Sequence, residues 1–200
     1  MDTDRLRLFI AIQVPEDVKT ELQRAQHELQ KAAVESVIRW TNPGQMHMTL
    51  RFLGYVQTRD VEALARALLQ VGVRFAPVHL RTESVGFFPH ARAPRVLWAG
   101  LQDLSGHLPQ LQRDIQQATA AFTAEPAEEK FAGHLTLGRV KFLKRTEGQN
   151  LANAASRLAR TFGEWTADSV ELIRSELSSS GASYSTLAQM RLAGQRGCAQ

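Results

Sequence analysis

Apolar residues recur along this chain in two rhythms, one of strands and one of helices. Residues 6–14 form a nearly continuous apolar run closed by Pro15, which predicts a buried strand. Pro15, Glu16 and Asp17 suit a helix start, with proline tolerated in the first turn and carboxylates favoured at the positive end. Val18, Leu22, Ala25, Leu29 and Ala32 then draw one apolar stripe in steps of four and three. A short strand at 37–40, a turn at Asn42-Pro43-Gly44 and a strand over 47–54 follow. A second helix is marked by Val61, Leu64, Ala65, Leu68 and Leu69. Residues 78–87 read as extended, 88–95 as a loop rich in proline and arginine, and 96–100 as a buried strand.

The second half repeats the plan. Leu104, Leu108, Leu111, Ile115, Ala118 and Phe122 predict the longest stripe, and the polar loop 125–130 leads to a strand opening at His134. A helix over 149–162 carries Leu151, Ala155, Leu158 and Phe162, and strands at 170–177 and 184–192 flank the turn Ser178-Ser179-Ser180-Gly181. Strand, helix and histidine-bearing strand therefore occur twice. The pattern predicts a duplicated α+β unit spanning residues 1–200, with helices on one sheet face and the other face free.

Composition narrows the setting. The 200 residues are 44% hydrophobic and 22% charged, ordinary for a globular protein. No apolar run approaches the roughly 18 residues of a membrane span, and the polar start Met1-Asp2-Thr3-Asp4-Arg5 does not resemble a secretory signal. Cys198 is the only cysteine, so no internal disulfide forms and a cytoplasmic protein is expected. A net charge of +4 permits a polyanionic partner without requiring one.

The candidate chemistry lies in two near-identical tetrapeptides, His47-Met48-Thr49-Leu50 and His134-Leu135-Thr136-Leu137. In a strand, successive side chains alternate between faces, so each motif sets an imidazole and a hydroxyl side by side over two core-facing apolar residues. At ordinary residue frequencies x-Thr-Leu follows a given histidine about 1% of the time, yet two of the six histidines have it. Imidazole titrates near neutrality, so two histidines on opposed walls can deprotonate a water and protonate a leaving oxygen. The threonine hydroxyls can donate to phosphate oxygens where charge builds up. His27 lies off the first helix's stripe, and His79, His90 and His107 lack the motif. There is no His-Glu-x-x-His, no Gly-x-Ser-x-Gly and no phosphate-cradling glycine loop, so zinc, serine-nucleophile and ATP-driven chemistry lack support and no cofactor or metal is called for.

These residues resemble the two-histidine phosphoesterase superfamily, and more narrowly its prokaryotic RNA 2′,3′-cyclic phosphodiesterases, also called 2′-5′ RNA ligases. The similarity runs nearly end to end, through Arg7-Leu8-Phe9-Ile10-Ala11-Ile12, His47 to Gly54, Pro94 to Gly100, His134 to Arg139 and Tyr184-Ser185-Thr186-Leu187. It implies a bilobed α+β fold, with two pseudo-symmetric lobes whose antiparallel sheets line a central cleft and helices outside. It implies a monomer that opens an RNA 2′,3′-cyclic phosphate end to a 2′-phosphate, with no metal and no membrane partner. By motif, His47 would protonate the leaving O3′, His134 would activate water, Thr49 and Thr136 would hold phosphate oxygens, and Arg139 would neutralise phosphate charge. Strict alternation puts Arg139 on the face opposite His134, and a bulge at Gly138 would turn it back. The chain has Gly133 where many relatives carry proline. Two alternatives stand beside this reading. One is an RNA-end-binding module, suggested by the basic balance and the loop Pro89 to Arg95. The other is a cyclic phosphodiesterase acting on small nucleotides.

Overall fold

The computed structural model describes residues 4–144, 146–158, 160–178 and 181–194. Cys198, the start Met1-Asp2-Thr3 and the turn residues Ser179 and Ser180 lie outside the described residues.

The described chain is α+β, with nine strands and four α-helices among the described residues. In order they are β1 (Arg5–Gln13), α1 (Glu16–Lys31), β2 (Val37–Trp40), β3 (His47–Gln57), α2 (Val61–Gly72), β4 (Val78–Phe88), β5 (Val96–Asp103), α3 (Leu108–Thr119), β6 (His134–Phe142), α4 (Glu147–Arg157), β7 (Thr161–Ala167), β8 (Ser169–Ser178) and β9 (Gly181–Arg191). All pairings are antiparallel, and the strand order is β7-β4-β5-β6-β3-β1-β8-β9, with β2 also paired to β6. The β3–β6 junction consists of one residue pair, Met48 with Leu135. The sheet thus divides into two lobes, β3-β1-β8-β9 and β7-β4-β5-β6-β2, hinged where the two histidine motifs meet.

The helices do not stay with their own sequence repeat. α1 follows β1 but packs on β7 and α4 of the other lobe, while α3 follows β5 yet packs on β3 and α2. Each lobe is completed by a helix from the other half, so the two repeats interlock. The α1 stripe Val18, Leu22, Ala25 and Leu29 is fully buried, and each such leucine contributes roughly 1.5–3 kcal/mol by leaving water.

Three expected stripes shift. On α2 the buried line is Leu64, Leu68 and Val71, and Leu69 faces solvent, because a 3.6-residue period moves the core line past it. Leu104 precedes α3, since β5 runs on to Asp103, whose carboxylate accepts from the amides of Ser105 and Leu108 and fixes the turn into the helix. α4 ends at Arg157 with Leu158 in extended conformation, and Phe162 is buried from β7 instead of from the helix. The alternating Thr161-Phe162-Gly163-Glu164-Trp165 segment prefers the pleated edge of β4.

Candidate functional site

The two histidine motifs open β3 and β6, and their strands repeat one local geometry. In β3, Ala11 pairs with Thr49 and Ile10 with Arg51, leaving Leu50 as an extra residue. In β6, Trp98 pairs with Thr136 and Leu97 with Gly138, leaving Leu137 extra. Each is a bulge, in which two residues oppose one and the alternation slips. Leu50 and Arg51 are therefore both buried, as are Leu137 and Gly138. The next residue, Phe52 or Arg139, returns to the face of the histidine. The turn-back involves Gly138 itself, where a Cβ would lie 3.0 Å from Ile38 Cγ2 and 3.2 Å from Trp40. A side chain there would press Ile38 and Trp40 back by a few tenths of an ångström, so glycine eases the close approach of β2.

A buried glutamine from an exchanged helix stands behind each bulge. Gln26 of α1 donates through Nε2 to the carbonyls of Leu137 at 2.8 Å and Thr41 at 2.9 Å. Gln112 of α3 donates to the carbonyl of Leu50 at 3.4 Å. Sequence reasoning did not find these residues. Their one signal is a polar side chain next to an apolar stripe position, Gln26 after Ala25 and Gln112 after Leu111.

The two lobes enclose a cleft of about 660 Å³, whose wall includes His47, Thr49, His134, Thr136 and Arg139. All five sequence-predicted site residues thus share one cavity. Arg7, Phe9, Arg39, Phe52 and Tyr184 also line it, and among the described residues no Asp or Glu does. No other histidine and none of residues 89–95 contributes to the wall.

Each imidazole is held the same way. Nδ1 of His47 lies 2.8 Å from the carbonyl of Gln45, and Nδ1 of His134 lies 2.8 Å from that of Ala132. A carbonyl oxygen can only accept, so Nδ1 carries the proton and donates, leaving Nε2 as the nitrogen that can exchange a proton with a ligand. Neither threonine hydroxyl has a hydrogen-bond partner among the described residues, so both are free to donate to a ligand.

Aromatic rings wall in both histidines. His47 packs against Phe9 at 4.7 Å and edge-on to Tyr184 at 5.4 Å, and His134 meets Phe88 edge-on at 5.3 Å and Trp98 at 6.4 Å. His47 is the deeper of the two. Burial pulls its pKa from 6.5 to about 4, the Gln45 carbonyl opposes that shift, and the charges of Arg139 and His134 add to it. At Gly133 a Cβ would meet only the flexible thioether of Met48 within 3.4 Å, and His134 keeps its carbonyl anchor there without proline.

No described helix is long and apolar enough to cross a membrane, and no three metal-ligating side chains cluster among the described residues.

Known proteins match this architecture closely. A curated RNA 2′,3′-cyclic phosphodiesterase of Methanocaldococcus jannaschii is 27% identical over 186 residues, covering 91% of this chain and 98% of that protein. The crystal structure of TT0787 of Thermus thermophilus superposes with a TM-score of 0.78 at 26% identity, covering 95% of this chain and 100% of the other. Escherichia coli LigT, crystallised with 3′-AMP, shares the fold with a TM-score of 0.73 at 21% identity, over 94% of this chain and 99% of its own. The family described as LigT-like phosphoesterase matches residues 12–98 and 101–184, which is most of the sequence. With the duplicated motifs on opposed walls of one cleft, the chain belongs to the LigT-like phosphoesterase family.

Proposed function

We propose that this protein is an RNA 2′,3′-cyclic phosphodiesterase, opening the cyclic phosphate at an RNA end to a 2′-phosphate. The observation that carries the reading is the matched pair of His-x-Thr walls: two imidazoles, each with Nδ1 tied to a carbonyl, face a cleft whose described wall holds arginines and no carboxylate. That arrangement provides an acid, a base and anion stabilisation around one phosphate.

In the proposed reaction, a water oxygen forms a bond to phosphorus as its proton passes to Nε2 of His134. The P–O3′ bond breaks, and O3′ takes a proton from Nε2 of His47, leaving a 2′-phosphate and a 3′-hydroxyl. Thr49, Thr136 and Arg139 bear on the non-bridging oxygens as their charge grows. A 5′-hydroxyl in place of water gives a 2′-5′ linkage by the same proton transfers. The reading takes a cytoplasmic monomer whose side chains fill these roles and calls for no metal.

A second reading exchanges the two histidines. Its support is the lowered pKa of His47, which leaves that imidazole neutral and ready to act as a base in the free protein. For His47 to act as the acid, the negative charge of bound substrate must raise its pKa, and a phosphate beside Nε2 does so.

The test is turnover of a cyclic-phosphate-ended oligonucleotide in excess chelator, with the product phosphate identified. Wild type should yield a 2′-phosphate, and His47→Ala and His134→Ala should each lose roughly 10²–10⁴-fold in kcat while remaining folded. Full activity in either variant refutes the reading. Tight binding with no hydrolysis by the wild type would favour an RNA-end-binding module instead.

A further inference from the structure

The proposed reaction uses only part of the cleft's positive surface. Arg39 on β2 is the cross-strand partner of Arg139 on β6, and both line the cleft. Like charges directly opposed on neighbouring strands destabilise a sheet. Among the described residues neither guanidinium has an ion pair or hydrogen bond, and no Asp or Glu lines the cleft. The Arg39 guanidinium lies beside the start of β9, where a Cβ at Gly181 would fall 2.5 Å from its Nη2. Arg7 differs, since it already donates to Ser175 Oγ at 2.8 Å.

One phosphodiester carries one negative charge, and Arg139 meets it. A second free guanidinium one strand away, about 4.8 Å across the sheet, suits a second phosphate. Successive phosphates of a nucleic-acid strand advance about 3.4 Å along a stacked axis and farther when unstacked, a separation that two long side chains on adjacent strands span.

We infer that Arg39 and Arg139, opposed on β2 and β6, form a two-phosphate clamp, in which Arg39 holds the backbone phosphate next to the terminal nucleotide. This rests on the function proposed above and names its substrate class: the enzyme reads an oligonucleotide end, and a cyclic mononucleotide forfeits one of its anchors.

The experiment compares kcat/KM for a cyclic-phosphate-ended trinucleotide and a 2′,3′-cyclic mononucleotide, in wild type, Arg39→Ala and Arg39→Lys. The loss in Arg39→Ala should be about tenfold greater on the trinucleotide than on the mononucleotide, carried in KM. The salt slope for the trinucleotide should shrink by about one phosphate contact. Arg39→Lys should recover most of the loss, and the Tm of Arg39→Ala should be no lower than wild type, because a like-charge pair has been relieved. Equal losses on both substrates, or no loss on the trinucleotide, overturns the clamp. Should wild type turn over neither substrate, the proposed function fails, and the clamp is judged by binding. A 2′-phosphate-ended trinucleotide and a 2′-mononucleotide should then show the same split in affinity, and its absence overturns the clamp as well.

Discussion

The β3 wall and the β6 wall are two copies of one device tuned to different ends. Both place a histidine, a threonine and a bulge in the same order, tie Nδ1 to a carbonyl two residues back, and brace the bulge with a buried glutamine. They part at the residue the bulge delivers. The β3 wall offers Phe52, 53% exposed and next to Phe9, while the β6 wall offers Arg139 beside Arg39. They also differ in depth, with Tyr184 and Phe9 packed on His47. Duplicated backbone geometry fixes where groups sit, and one side chain after each bulge decides what each wall contacts. A phosphate suits the cationic wall, and a base suits the aromatic one.

The largest effect should separate these two walls. Arg139→Ala is expected to lower kcat by about 10²-fold, since the proposed reaction uses its charge on the phosphate oxygens. Phe52→Ala is expected to raise KM by roughly tenfold and leave kcat near wild type, the signature of lost stacking that is equal in ground and transition states. Steady-state kinetics on a cyclic-phosphate oligonucleotide decides it. If Phe52→Ala struck kcat as hard as Arg139→Ala, the division of labour between the walls would be wrong.

Much of this contrast was legible in the sequence. The repeated His-x-Thr-Leu marked both walls, and the periodic stripes of α1 and α3 located the exchanged helices. The position of Arg139 was legible only conditionally: alternation placed it away from the cleft, and Gly138 hinted at the slip that brings it back. The matching slip at Leu50 left no such hint, because Arg51 fills the place of Gly138 with a buried guanidinium bonded to Gln116 and the carbonyl of Glu125. Phe52 was therefore read as no more than strand. The exchange of helices between lobes and the pairing of Arg39 with Arg139 depend on contacts between segments far apart in the chain, which local periodicity does not encode.

The difference in depth makes a pH prediction. His47 is pulled to about 4 in the free protein, but either assignment needs one imidazole protonated and the other neutral, so kcat/KM should be bell-shaped with limits that belong to the coupled pair, and a profile with a single limb would remove one histidine from the reaction. Stability reports the same group independently. A histidine pKa depressed on folding means that the unfolded chain binds more protons between about 6.5 and 4, so stability is complete above that window and is lost as pH falls through it. The loss should be on the order of 2 kcal/mol, and His47→Gln should remove it, as read by denaturant unfolding at several pH values. An unchanged slope in His47→Gln would assign the titration elsewhere and remove the contrast in depth between the walls.

The smallest effect tests whether the two bulges are braced equally. Gln26 makes two short bonds behind the β6 bulge, and Leu137 keeps a second donor in the Thr41 amide at 2.9 Å, so Gln26→Leu chiefly strands the carbonyl of Thr41. That should cost about 1–3 kcal/mol, or several degrees in Tm for a chain of this size. Gln112 reaches Leu50 only at 3.4 Å, so Gln112→Leu should cost under about 1 kcal/mol. A leucine fills similar volume in either place, so the difference isolates the hydrogen bonds from packing. Because the β6 bulge aims Arg139, Gln26→Leu should also lower kcat a few-fold, whereas Gln112→Leu, behind the bulge that aims Phe52, should act on KM. Paired thermal melts and steady-state kinetics read both quantities. Destabilisation by Gln26→Leu with unchanged kcat would mean that β2 and Gly138 hold the bulge without help from α1, and the two walls would then share their backbone but not its support.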